Sequence, residues 1–179
     1  VVSADDPNVI FAATTSGIYK SEDQGKSWDR KSSLDFIDLF YHPTDETFMY
    51  ATSRGRFYRS VNGGESWTSA STGFSSVSKR RMAIAVSKAS PDMVYVISVR
   101  TSDNGMEGLY KSTNKGESFT MQLNGTTYNP LGFSSRGTGA GGQGFYDLAI
   151  ESSPTDPDIV YVGGINLFKS TNGGKNFTC

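Results

Sequence analysis

Short runs of β-favouring residues recur along the chain, each bounded by Pro, Gly, Asn or Asp, and no stretch holds the longer period of an amphipathic helix. Four runs stand in register with one another, 8–13 (NVIFAA), 47–52 (TFMYAT), 92–97 (DMVYVI) and 158–163 (DIVYVG), and are anchored on Phe11, Tyr50, Tyr95 and Tyr161. A Pro/Asp turn precedes three of them, at 6–8, 90–92 and 156–158, and Pro43-Thr44-Asp45-Glu46 precedes the second; Pro presets φ and cannot continue the strand before it. Upstream of the last three lie alternating runs that predict a further strand each, 36–41 (FIDLFY), 81–86 (RMAIAV) and 145–150 (FYDLAI).

Each repeat ends in an eight-residue box, S-x-[D/N]-x-G-x-[S/N]-[W/F], preceded by an aromatic and a base. The four copies are SEDQGKSW (Ser21, Asp23, Gly25, Trp28), SVNGGESW (Ser60, Asn62, Gly64, Trp67), STNKGESF (Ser112, Asn114, Gly116, Phe119) and STNGGKNF (Ser170, Asn172, Gly174, Phe177). Ser and Asp or Asn fold their side chains onto nearby backbone N–H groups, and the glycine supplies a positive φ at little steric cost. The box is therefore a hairpin turn. Its acid is Asn in three copies of four, which cannot act as a general base, so its role is read as structural. Strand, Pro/Asp turn, strand, short loop, strand, box, strand is the order of a four-stranded antiparallel unit, repeated about four times. The fold class expected is all-β, with units over about 1–33, 34–80, 81–144 and 145–179, the first and last incomplete.

This box resembles the Asp-box, or BNR repeat, of sialidases, sortilin-type domains, xyloglucanase-type glycosidases and many secreted bacterial proteins. The resemblance implies a β-propeller, and the incomplete end units then read as a segment of a ring of six to ten blades, with a closed four-bladed ring as the alternative. The tract 141–177 looks closest to secreted or surface proteins of Bacteroidota-type bacteria that are cargo of type IX secretion, and boxes such as SEDQGKSW are similar to sortilin-type domains. Partners implied are the rest of the same propeller beyond both ends and a protein or glycan ligand, at an extracellular or cell-surface location.

Two spacings break the repeat. From Tyr95 to Tyr110 is 15 residues where Phe11 to Tyr19 is 8, and the surplus is read as an inserted loop over 98–108. From box aromatic to next anchor the distance grows from 22 to 28 to 42 residues, the last containing the Gly-rich stretch 124–144. Blade connectivity sends both insertions to one face, opposite the boxes. Long loops in a compact fold commonly carry function. The candidate ligand-binding residues there are Arg81, Arg100, Asp103, Tyr128, Arg136, Tyr146 and Asp147, with Arg80, Phe133 and Phe145 beside them. Arginine forks suit carboxylates or glycans, and aromatic rings stack on sugars or peptides.

Net charge is −1, which gives no basic balance to suggest nucleic acid, and no apolar run approaches the ~18 residues of a membrane span. His42 is the one histidine and Cys179 the one cysteine, so no multi-His site or CxxC pair can form within the chain, and His42, in a turn before Pro43, is read as structural. No cofactor and no metal are assigned. A glycosidase needs two placed carboxyl groups. Asp38, Asp103, Glu107 and Asp147 are available but do not recur at one level of the repeat, and no sialidase arginine triad is matched. A non-catalytic binding or scaffold module is the reading preferred, with a sialidase- or xyloglucanase-type glycoside hydrolase as the alternative. Asn124 opens an N-x-T sequon in the long loop and is a possible glycosylation site.

Overall fold

A computed structural model describes all 179 residues, as four antiparallel sheets in sequence order. The first holds β1 (Ile10–Thr14), β2 (Gly17–Ser21) and β3 (Asp29–Ser32); the second β4 (Phe36–Tyr41), β5 (Met49–Ser53), β6 (Arg56–Ser60) and β7 (Thr68–Ser69). The third holds β8 (Lys79–Val86), β9 (Val94–Arg100), β10 (Met106–Ser112) and β11 (Thr120–Asn124). A single helical turn, α1 (Gly144–Asp147), leads into the fourth, of β12 (Ala149–Ser152), β13 (Val160–Gly163) and β14 (Leu167–Ser170). The three-stranded sheets carry a trace of a fourth strand, as the bridges Val2↔Ile10 and Lys169↔Thr178. The Val2 bridge occupies the place that Ser152↔Val160 holds in the fourth sheet.

The core lies between sheets. Its three clusters fill the seams between sheets one and two, two and three, and three and four. The period of two along a strand sorts them: Tyr95, Ile97 and Val99 of β9 face the fourth sheet, while Val94 and Val96 face the second. Both faces of the third sheet are thereby buried, which is why β9 reads as a continuous apolar run. Sheets stacked face to face, each by its sequence neighbours, make a β-propeller segment.

All four boxes close with one hydrogen-bond set. In the second, Gly64 N–H donates to Ser60 Oγ (2.9 Å), Ser60 Oγ donates to Asn62 Oδ1 (2.9 Å), and Ser66 N–H donates to Asn62 Oδ1 (3.0 Å). The corresponding bonds recur at Ser21/Asp23, Ser112/Asn114 and Ser170/Asn172. Trp28 and Trp67 lay their indole N–H over the box onto Gly25 and Gly64 carbonyls, whereas Phe119 and Phe177 turn into the core. The box glycine has a second task. A Cβ on Gly64 would stand 2.5 Å from Phe11 Cε1, on Gly116 3.0 Å from Phe57 Cζ, and on Gly174 2.2 Å from Leu109 Cδ2. In each case the crowding atom belongs to the preceding sheet, so the glycine lets the turn of one blade close on the core of its neighbour.

Two expected elements differ. The stretch 145–150 is not one strand: 145–147 belongs to α1 and only Ala149 onward pairs. Its partner β13 ends at Gly163, and Gly164 turns away to bond Asn166, so no strand backbone is available to 145–147. Nor is 98–108 a loop. Its residues extend β9 and β10 as a longer hairpin, and the connection is only 101–105.

Candidate binding face

Chain direction fixes which ends of the sheets carry which loops. Pro/Asp turns and boxes share one end, with Gly63 and Gly173 N–H bonded to Thr47 and Asp158 carbonyls of those turns. The 101–105 connection and the long segment between β11 and β12 share the other end, where they bind each other. Gly142 N–H donates to the Asp103 carbonyl and Gly144 N–H to the Asn104 carbonyl, both at 3.1 Å.

Two side chains knit this platform. Asp103 accepts Arg100 Nε (2.9 Å) and Gly105 N–H (3.1 Å) on Oδ1, and an Arg100 Nη (3.0 Å) and Gly141 N–H (3.0 Å) on Oδ2. The Arg100 bonds are the main cause holding its carboxyl at about 2. Asn129, 1% exposed, accepts Met106 N–H (2.9 Å) on Oδ1 and donates Nδ2 to the Gly141 (2.7 Å) and Gly139 (3.2 Å) carbonyls. Leu131, fully buried, anchors the same segment in the seam between the third and fourth sheets. Sequence reading missed Asn129, for which the only signal was its place before Pro130 in an inserted segment.

The platform carries an open-mouthed cavity of about 500 Å³ lined by Arg100, Asp103, Tyr128, Asn129 and residues 125–127 and 137–140. Arg100 and Asp103 enter it already paired. Tyr128 wedges under Gly137 and packs edge-on against Phe168, its hydroxyl reaching the Phe177 carbonyl at 3.3 Å. Arg136 is exposed and lies outside this cavity. Asn124, exposed at the end of β11, accepts both the N–H (2.9 Å) and the Oγ (2.8 Å) of Thr126 on Oδ1.

Toward the inner strands the same face carries a second, more basic site. Inner strands β4 and β8 each hold a bulge near their start: Phe36 and Asp38 pair with Ser53 and Thr52, and Lys79 and Arg81 with Arg100 and Val99. Ile37 and Arg80 are the extra residues, and a bulge re-aims such a side chain. Arg80 and Arg81, consecutive in β8, thereby line one pocket of about 320 Å³ with Ile37, Arg54 and Phe145. Arg81 Nη1 donates to the Phe145 and Tyr146 carbonyls at 3.1 Å and holds α1 in place. Arg80 lies 5.1 Å from the Phe145 ring centroid and donates to Asn104 Oδ1. Tyr146, 80% exposed, stands free beside them, with Phe145 and Phe133 also exposed.

The acids take separate roles. Glu107 is buried, accepting Ser75, Ser98 and Tyr110 hydroxyls with Lys79 Nζ at 3.9 Å, and so sits inside the third sheet's support and not in the face. Asp38 accepts Ile84 N–H (3.2 Å), and burial pushes its carboxyl pKa up. Asp147 leaves Oδ1 buried without a partner. The structure thus brings Arg81, Tyr146 and Asp147 together around α1 and Arg100, Asp103 and Tyr128 around the cavity, with Arg136 in neither group.

Solved structures share this fold. An ancestral GH74 enzyme superposes with a TM-score of 0.72 at 18% identity, over 99% of this chain and 23% of that one. A GH74 enzyme from Niastella koreensis gives 0.70 at 16% identity, over 99% and 28%. The GH74 xyloglucanase from Xanthomonas campestris gives 0.63 at 15%, over 99% and 29%. The chain spans about a quarter of the length of these enzymes. No curated protein matches the sequence. The family model described as sortilin, neurotensin receptor 3 matches residues 16–138, well over half of the chain. With four boxes joining antiparallel sheets stacked seam to seam, and with that match, the chain belongs to the Sortilin-Vps10 family.

Proposed function

We propose that this chain is a non-catalytic recognition module of a secreted or cell-surface propeller, which takes a glycan or protein partner on the face opposite the boxes. The observation carrying this reading is the order of the inserted platform. Asn129, Asp103 and Leu131 fix long segments in place while Phe145 and Tyr146 stay exposed beside Arg80 and Arg81 and Phe133 stays exposed on the inserted segment. Exposed aromatics on a fixed base beside arginine are the composition of a recognition surface. The outer face of the fourth sheet supports further blades in the same ring, because Leu167 is exposed where its counterpart Leu109 is buried by the next sheet. Export by a type IX system, in a Bacteroidota-type source, fits the resemblance of tract 141–177.

The test is capture on a glycan array and on surface-protein extracts, comparing the parent chain with Tyr146→Ala and Phe145→Ala. Loss of captured ligands in these variants, with unfolding midpoints unchanged, supports the reading; retention of all of them refutes it. Deleting 124–144 is not a clean test, since Asn129 and Leu131 support β10 and the core. A glycoside hydrolase reading draws on Asp38, whose raised pKa suits a general acid. Xyloglucan hydrolysis abolished by Asp38→Asn would establish that reading in place of the first.

A further inference from the structure

The pocket between Ile37, Arg54, Arg80, Arg81 and Phe145 inverts the charge of the molecule around it. The chain as a whole carries −1, yet three of the five residues lining this pocket are arginine and none is acidic. They come from two places: Arg54 from the turn between β5 and β6, Arg80 and Arg81 from the bulged start of β8. Without the bulge, consecutive residues of a strand would point to opposite faces.

Their donors are mostly unspent. Each guanidinium has five N–H groups. Arg54 uses Nε on Asp35 (2.7 Å), Arg80 uses Nη1 on Asn104, and Arg81 uses Nη1 on two carbonyls while its buried Nε has no partner. Asp35 is the one carboxylate bonded to the three, and neither Asp38 nor Asp147 lines the pocket. A planar carboxylate is satisfied by one bidentate fork. Arg80 Nε and Nη2, the Arg54 Nη groups and Arg81 Nη2 remain, and donors from a turn and a strand suit instead a pyramid of three oxygens, the shape of a sulfate or phosphate monoester. Ile37 and Phe145 add apolar walls for the ring that carries the ester.

We infer that this pocket binds the sulfate or phosphate monoester of an acidic glycan. The inference rests on the loop face being the recognition face, and it names the ligand group that face selects. The test measures affinity of the 179-residue chain for glucose 6-sulfate, glucose 6-phosphate, glucuronate and glucose, at low and high salt. Both esters bind, about tenfold or more tighter than glucuronate, and binding weakens with salt. The tighter of the two identifies whether the source is a sulfated or a phosphorylated glycan. Arg54→Ala and Arg80→Ala, both at exposed side chains, each weaken ester binding about tenfold. Lys175→Ala, on the box face, leaves it unchanged.

Equal affinity for glucuronate, arginine variants that bind as the parent does, or no ester binding at about 10 mM would each overturn the inference. If the inference falls while Tyr146→Ala still abolishes array capture, the loop-face reading survives it. If capture is also unmoved, both fall together.

Discussion

Alanine at the box glycines separates the two tasks that the fold assigns to this position. Gly25, Gly64 and Gly116 have φ of +87°, +81° and +72°, so the backbone cost of a side chain is nearly common to all three, about 1 kcal/mol. The seam cost is not common. At Gly25 an added Cβ meets nothing nearer than Trp28 at 3.5 Å, an ordinary contact. At Gly116 it meets Phe57 at 3.0 Å and 3.1 Å and Tyr50 at 3.2 Å, and at Gly64 it meets Phe11 at 2.5 Å and 2.6 Å and Met49 Sδ at 2.9 Å. Carbon atoms rest about 3.5–4.0 Å apart, so Gly64→Ala drives the box about 1 Å into a fully packed ring. Overpacking of that size costs a further 1–3 kcal/mol or so. The expected order of destabilisation is Gly25→Ala at about 1, Gly116→Ala at about 2 and Gly64→Ala at about 3 kcal/mol. Urea unfolding of the 179-residue chain, followed by tryptophan fluorescence and with m unchanged, reads these differences directly. Equal losses at the three sites, within about 0.5 kcal/mol, would show that the box is only a turn and that the seam argument is wrong.

Other perturbations address the platform and the seams. Asn129→Ala strands Met106 N–H and two carbonyls and should cost about 2–4 kcal/mol; Asn129→Asp, which turns a donor into an acceptor facing those carbonyls, should cost no less. Hydrogen exchange at Met106 and Gly142 would report the loosening. Glu107→Ala removes the carboxylate that stands 3.9 Å from the buried Lys79 Nζ and an acceptor of three hydroxyls, and is expected to destabilise by about 3–5 kcal/mol without altering ligand capture by any remaining folded protein. His42 is buried, accepts Thr44 N–H on Nδ1, and has its pKa lowered chiefly by burial, which outweighs the opposing pull of Asp92. The unfolded chain therefore takes a proton on it at higher pH than the folded one. Its contribution is complete above about pH 6.5 and is lost as pH falls through that value toward the lower folded pKa. His42→Gln should flatten that part of the stability profile, and an unchanged slope would place its origin elsewhere.

Much of the fold was open to sequence reading because its signals are local. The box, the Pro/Asp turns and the anchor spacing depend on residues a few positions apart, and so does the four-unit order. The features that escaped depend on distant partners. Nothing near Gly64 announces that Phe11 of the previous sheet presses on it. Lys115 and Gln24 take positive φ at the fourth box position, where Gly63 and Gly173 stand in the other copies, and only the closed turn shows that demand. The alternation of 145–150 reads as a strand, yet 145–147 has no strand to pair with. At the candidate site, insertions and exposed aromatics were legible from length and composition. The bulges at Ile37 and Arg80, which turn two consecutive arginines into one pocket, follow from pairing register across a sheet and have no signature of their own.

The central claim is that recognition belongs to the inserted face and not to the boxes. Its most direct measurement is capture of array-selected glycans by three variants of equal stability: Tyr146→Ala and Arg80→Ala on the inserted face, and Lys175→Ala within a box. The account predicts that the first two lose at least about tenfold in affinity while the third matches the parent. Loss confined to Lys175→Ala would contradict it and move the site to the opposite end of the sheets.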